Sequence, residues 1–167
     1  MKNKPPNAIE ITLKPGDFYF GAGATRIRTL LGSCVSITAW HPQRLIGGMC
    51  HYLLPSRNKQ PDTLEGKYAD EAFELFIQQA ARHKTVMSEY QIKIFGGGIM
   101  FPDYLARQQN SVSEKNIEAA HQIFKKHNLK IISQDVGTAG HRYIVFDIWS
   151  GNVWVRYQPL IEAKKRQ

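Results

Sequence analysis

A chain of 167 residues, 43% hydrophobic and 22% charged, carries enough apolar material for one folded core and lacks the bias of a disordered segment. Its 22 basic and 14 acidic residues leave a formal charge of +8. That charge favours acidic partners, but no helix-turn-helix, RNP or zinc-finger pattern accompanies it, which argues against nucleic acid.

Met1 to Pro15 is polar and has no apolar core of a signal peptide, and no run is long enough to cross a bilayer. Two cysteines do not make a disulfide framework, so a reducing cytoplasm without membrane insertion is the expected setting. Ile9, Ile11 and Leu13 alternate with Glu10 and Thr12 as a half-buried strand does, and Pro15-Gly16-Asp17 reads as a turn. Phe18 to Phe20 makes a brief second strand, and Ile27, Thr29 and Leu31 alternate into a hairpin. Ser56 to Gly66 is a polar loop, either a lid or a solvated connection. Tyr68 to Lys84 is the clearest helix, with Ala72, Phe73, Phe76, Ile77, Ala80 and Ala81 on one stripe and acidic residues early, basic ones late.

Gln91 to Phe95 reads as a strand ending in Gly96-Gly97-Gly98. Neither a P-loop nor a G-x-G-x-x-G is completed, so close backbone packing or backbone donors explain the glycines better than a phosphate. Ser111 to Glu114 is a capping box opening a second helix with Ile117, Ala120, Ile123 and Phe124 inward, and Asn128 ends it. Strands follow at Leu129 to Val136, Tyr143 to Trp149 and Val153 to Tyr157, and a basic tail runs from about residue 160. The order of elements predicts a single α+β domain over residues 1–167, its helices covering one sheet face.

Leu30 to Pro55 holds both cysteines, Cys34 and Cys50, together with His51. If the chain reverses about Pro42-Gln43, with His41 to Arg44 as the connection, cross-strand residue numbers add to 85 and Cys34 opposes His51. Opposed residues share a face with Cβ atoms roughly 4.5–5.5 Å apart, the reach a thiol nucleophile and its base require. Ser36 and Thr38 lie on that face, whereas Val35, Ile37, Ala39, Ile46 and Cys50 lie on the other, which therefore reads as core. Gly32-Ser33, small and flexible, lets a substrate approach the backbone. A zinc site is disfavoured because Cys50 and His51 point to opposite faces without C-x-x-C or H-x-x-x-H, and His121 and His127 fall on different helical faces. A Cys34–Cys50 disulfide fails in the same register.

The runs LLGSCVSITAWHP, GGMCHYLLP and KYADEA, the triple glycine with IMF, and DVGTAGHRYIVFDIWSGNVWVR resemble the CheD family, the chemoreceptor glutamine deamidases of bacterial chemotaxis. The resemblance spans about Ile9 to Arg156. It implies an α-β-β sandwich whose sheet pair buries the Val35/Ile37/Cys50 side, and a cysteine hydrolase that turns receptor glutamines into glutamates. Its nucleophile falls on Cys34 and its histidine on His51. Its threonine sits six residues before the cysteine, where this chain has Arg28, with Thr29 one residue closer. A methyl-accepting receptor is the implied substrate and a CheC-type phosphatase a second partner.

The chemistry expected is attack of a Cys34 thiolate, its pKa lowered by an imidazolium, on a glutamine carboxamide. His51 shuttles the proton and water hydrolyses the thioester, with no cofactor and no metal. The N–H of Cys34 and donors around Gly32, Ser33 and Gly97 are candidates for the oxyanion, and Thr29 or Ser33 for orienting the imidazole. Tyr68 and Asp70 are further candidates, Asp70 more simply as a helix-terminus residue. A non-catalytic binding module and a cysteine protease are the rival classes.

Overall fold

The computed structural model describes residues 4–101 and 111–160, and the basic tail beyond 160 lies outside them. The strands are β1 (Ile9–Thr12), β2 (Phe18–Ala22), β3 (Thr25–Leu31), β4 (Val35–His41), β5 (Ile46–Cys50), β6 (Gln91–Gly96), β7 (Ile131–Val136), β8 (Gly140–Asp147) and β9 (Val153–Pro159). Helices α1 (Ala69–Arg82) and α2 (Val112–Lys126) accompany them. The strands form one sheet in the order β1-β3-β8-β9 and another in the order β2-β5-β4-β6-β7. Pairing is antiparallel except for β1 with β3 and β6 with β7. This is the expected α+β layering: helices, five-stranded sheet, four-stranded sheet.

Each layer boundary is an apolar interface. On one side of the five-stranded sheet, Val35, Ile37, Cys50 and Tyr52 pack with Phe73, Phe76, Ala80, Ala120 and Phe124 of the helices. On the other, Met49 and Phe95 pack with Ile27, Leu31, Ile144 and Phe146 of the four-stranded sheet. The Val35/Ile37/Cys50 side is therefore buried by helices rather than by the second sheet as expected. The helices present Phe73, Phe76 and Phe124 as a stripe that needs an apolar partner, and that side of the sheet supplies it. The polar face is not open either, since Ser36 and Thr38 are 0% and 1% exposed. Ser36 tolerates burial because its hydroxyl donates to the Cys50 carbonyl at 2.6 Å.

The β4–β5 hairpin forms, but two residues out of the expected register. Thr38 faces Met49, Ala39 faces Gly48 and His41 faces Ile46, so paired numbers add to 87 rather than 85. The connection is Pro42 to Leu45: Leu45 takes φ 49° and donates its N–H to the His41 carbonyl at 2.9 Å, and the Arg44 N–H reaches His41 Nδ1 at 3.2 Å. A slip of two preserves side-chain parity where a slip of one inverts it. Cys34 consequently stays on the side expected for it, packed against the inter-sheet cluster, but with Val35 paired to Tyr52 it does not directly oppose His51 as expected.

The polar loop after β5 is fastened to the start of α1. Arg57 Nε and Nη2 donate to both carboxylate oxygens of Glu71 at 2.8 and 2.6 Å, and Ser56 donates to Asp70 at 2.7 Å. Tyr68 lies beneath the Arg57 guanidinium at 4.8 Å. These contacts place Tyr68 and Asp70 in loop anchorage, with Asp70 at a helix terminus as its sequence position implied.

The triple glycine is a backbone contact. A Cβ on Gly98 would fall 2.1 Å from the Gly140 carbonyl oxygen, inside any permissible separation. Gly98→Ala should therefore lower stability by about 1–3 kcal/mol in denaturant titration. An unchanged midpoint would contradict the packing described.

Candidate active site

His51 follows β5 directly and is held by its backbone from one side and by its ring from the other. Its N–H donates to the Asp17 carbonyl at 3.0 Å and its own carbonyl accepts from Gly16 N–H at 2.8 Å. Gly16 makes this turn at φ 90°, a conformation that favours glycine. The ring crosses to the second sheet, where Nδ1 meets Thr29 Oγ1 at 2.7 Å, and the residue is 2% exposed.

The direction of that bond follows from the hydroxyl's other partner. Thr29 Oγ1 lies 2.9 Å from the Leu13 carbonyl oxygen, which can only accept. A hydroxyl has one proton to give, so it goes to Leu13, and Nδ1 must carry the hydrogen shared with Oγ1. A neutral imidazole protonated at Nδ1 leaves Nε2 as a free base.

Cys34 lies in the short connection Gly32 to Cys34, where the chain passes from one sheet into the other. It is half-buried against the inter-sheet cluster. Its carbonyl accepts from Gly97 N–H at 2.8 Å, and Gly98 N–H donates to the Gly32 carbonyl at 2.8 Å. A Cβ on Gly96, at φ 104°, would stand 2.3 Å from the Cys34 carbonyl oxygen, so the glycine run is what lets β6 approach this segment.

The Gly97 N–H is thereby committed, and it drops out as an oxyanion donor. The N–H groups of Gly32, Ser33 and Cys34 have no backbone acceptor among the described residues and remain candidates. Of the two hydroxyls proposed to orient the imidazole, Thr29 reaches the ring, whereas among the described residues Ser33 is hydrogen-bonded only through its carbonyl.

Cys50 sits on the opposite side of the sheet, within the helix-facing cluster. Its Sγ accepts the Ile37 N–H at 3.4 Å, and its thiol is 0% exposed, which pushes its pKa up to about 12. Both cysteines are free. Among the described residues, no cluster of three or more His, Cys, Asp or Glu side chains is placed to hold a metal ion.

Burial governs the ionisation of the pair. It raises the Cys34 thiol above its ordinary value and lowers His51 from 6.5 to about 4, with nearby Asp17 opposing the second shift. Both shifts favour the neutral forms, thiol for Cys34 and imidazole for His51. The ring's direct partner is a neutral hydroxyl, and the Asp17 charge offsets only part of the cost of charging it.

A side chain missed in the sequence reading is Asn116, in the middle of α2. It is 0% exposed, and its Nδ2 donates to the Ser33 carbonyl at 3.3 Å and the Leu53 carbonyl at 2.8 Å. The signal was its spacing: four residues before Ala120 and eight before Phe124, it occupies the buried stripe with a polar group.

Layered fold and site together define a compact α-β-β protein carrying a thiol, a buried imidazole and the hydroxyl bonded to it on the side where two sheets meet. A family model described as CheD chemotactic sensory transduction matches residues 53–157. A probable chemoreceptor glutamine deamidase CheD of Pseudomonas savastanoi pv. phaseolicola is 50% identical over 165 residues, 98% of this chain and 93% of its own. A similarly described protein of Pseudomonas fluorescens is 51% identical over 158 residues, 94% of this chain and 89% of its own. One from Leptospira interrogans is 41% identical over 160, covering 91% of this chain and 95% of its own. The chain belongs to the CheD family.

The low imidazole pKa has a consequence for stability. Between about 4 and 6.5 the unfolded chain binds a proton at His51 that the folded chain refuses, so stability rises with pH across that window. At about 1.4 kcal/mol per pH unit, this amounts to roughly 3 kcal/mol. Urea titrations from pH 4 to 7 should show His51→Gln with a flatter profile than the parent; parallel profiles would contradict the buried neutral ring.

Proposed function

We propose that this chain is a cysteine-dependent amide hydrolase that converts glutamine side chains of chemoreceptors to glutamate, acting as a single domain in the cytoplasm. The observation that carries the reading is the Thr29 hydroxyl on His51 Nδ1, which leaves Nε2 as the free base on the sheet side that also bears Cys34. The names of the curated relatives supply the substrate class. The net charge of +8 suits an acidic receptor surface. A CheC-type phosphatase as second partner belongs to the same proposal and rests on the family resemblance.

Catalysis starts from the neutral pair. As the carboxamide carbon comes within reach, His51 Nε2 takes the Cys34 proton and Sγ bonds to that carbon, opening the C=O to an oxyanion. The Cys34 N–H is the donor best placed along the chain to meet it. His51 then returns its proton to the departing nitrogen, the C–N bond breaks, and ammonia leaves a thioester. The same Nε2 removes a proton from water, whose oxygen attacks the thioester. Sγ departs with the proton, and glutamate remains. Thr29 holds the ring so that Nε2 serves as base in both halves, and it accepts from Nδ1–H when the ring becomes charged.

The test is incubation of a receptor cytoplasmic fragment with the parent and variant chains, followed by ammonia assay and intact mass. The parent should release ammonia and add about one dalton per site. Cys34→Ala and His51→Ala should abolish both, and Cys50→Ala should retain activity with reduced stability from a core cavity. Thr29→Val should lower kcat by roughly tenfold or more, with Thr29→Ser recovering most of it. Fragment cleavage would favour a protease, binding without ammonia would favour a docking module, and activity lost in Cys50→Ala but kept in Cys34→Ala would overturn the assignment of faces.

A further inference from the structure

We propose that Asn116 is a positioning residue that aims the Cys34 N–H at the oxyanion; the inference rests on the hydrolase reading above. The β4–β5 ladder makes its last direct bridge between Val35 and Tyr52. Beyond it the segment entering Cys34 and the segment leaving His51 are joined by the Asn116 carboxamide, through the Ser33 and Leu53 carbonyls. The same residue's backbone carbonyl accepts the Tyr52 hydroxyl, so α2 is fixed to the strand end at two points.

The amide orientation is determined by its partners. Both nearby groups are carbonyls, so the nitrogen must face them and Oδ1 must face away. Oδ1 is buried and has no hydrogen-bond partner among the described residues. An unpaired buried acceptor costs stability. The position is therefore not optimised for folding, and what its two donated bonds accomplish has to be sought at their far ends.

One of those ends is the peptide group that joins Ser33 to Cys34. Its C=O and N–H lie in one plane and point in opposite directions. Fixing the Ser33 carbonyl on Asn116 therefore fixes the direction of the Cys34 N–H, which has no backbone acceptor among the described residues. The next peptide group is pinned as well, since the Cys34 carbonyl is held by Gly97. Asn116 thus contributes no reacting atom. It removes the freedom of one peptide plane to rotate away from the developing charge.

The test uses Asn116→Leu, which keeps the side-chain volume, and Asn116→Ser, which stays polar but is too short to bridge. The control is Phe124→Leu, on the same helix and packed on Phe73 rather than on the Cys34 segment. Each is assayed for kcat and KM on a receptor fragment, for thermal midpoint, and for alkylation of Cys34 by iodoacetamide. Cys50, fully buried, does not compete for the reagent.

Alkylation needs the thiol but forms no oxyanion, so the two activities separate the roles. The expected result for both Asn116 variants is a fall in kcat of roughly a hundredfold, KM and alkylation rate within about twofold of the parent. Phe124→Leu should lose midpoint while keeping kcat. A parental kcat in either folded Asn116 variant overturns the inference, as does joint loss of kcat and alkylation matching a disrupted site. Ammonia release that survives Cys34→Ala overturns the hydrolase reading itself, and this inference with it.

Discussion

A single hydroxyl bridging two sheets decides what the buried histidine can be. Thr29 lies on β3 of the four-stranded sheet and His51 at the end of β5 in the five-stranded one, yet they meet at 2.7 Å. Because the threonine proton is already committed to the Leu13 carbonyl, the ring must donate from Nδ1 and keep Nε2 unprotonated. A carboxylate in that position would favour the imidazolium. A neutral hydroxyl under the same burial favours the uncharged ring, and partial burial favours the protonated Cys34 thiol. In the proposed mechanism the charged pair forms only with substrate bound, when the growing oxyanion has its donors in place.

The layering is what makes this arrangement possible. Cys34 sits where the chain changes sheets, so its backbone groups are not consumed by a ladder on either side. Its carbonyl is taken by Gly97 and the preceding carbonyl by Asn116. A segment with both flanking peptide planes fixed from outside can present its N–H and its thiol without the regularity of a strand. The glycine run serves this purpose as well as the close approach to Gly140: a side chain at Gly96 would collide with the Cys34 carbonyl.

Much of the fold was legible in the sequence because local rules agreed with tertiary demands. Ser111 caps α2 through the Glu114 N–H as the capping box implied, and the stripe from Ala72 to Ala80 is the buried face of α1. The hairpin register was displaced because the reversal depends on Leu45 in a left-handed conformation, for which leucine gives no signal. Side-chain parity survived because the displacement was even. Polarity misled at Ser36 and Thr38: the pattern reports what a side chain is made of, not whether a second sheet covers it, and a serine bonded to a carbonyl can be fully buried. Gly97 was read correctly as part of a backbone contact and wrongly as a free donor, since the partner of an N–H is a tertiary fact. Asn116 could have been found as the polar member of an apolar stripe, but its two carbonyl partners lie 83 and 63 residues away in sequence.

The chemistry of the site turns on where the proton sits on one buried ring. Long-range proton–nitrogen correlation spectra of the chain labelled with nitrogen-15 at histidine would report it for His51 at neutral pH, with His51→Gln identifying the resonances. Protonated Nδ1 with a bare Nε2 is the result this structure requires. A ring protonated at Nε2, or at both nitrogens, would contradict it.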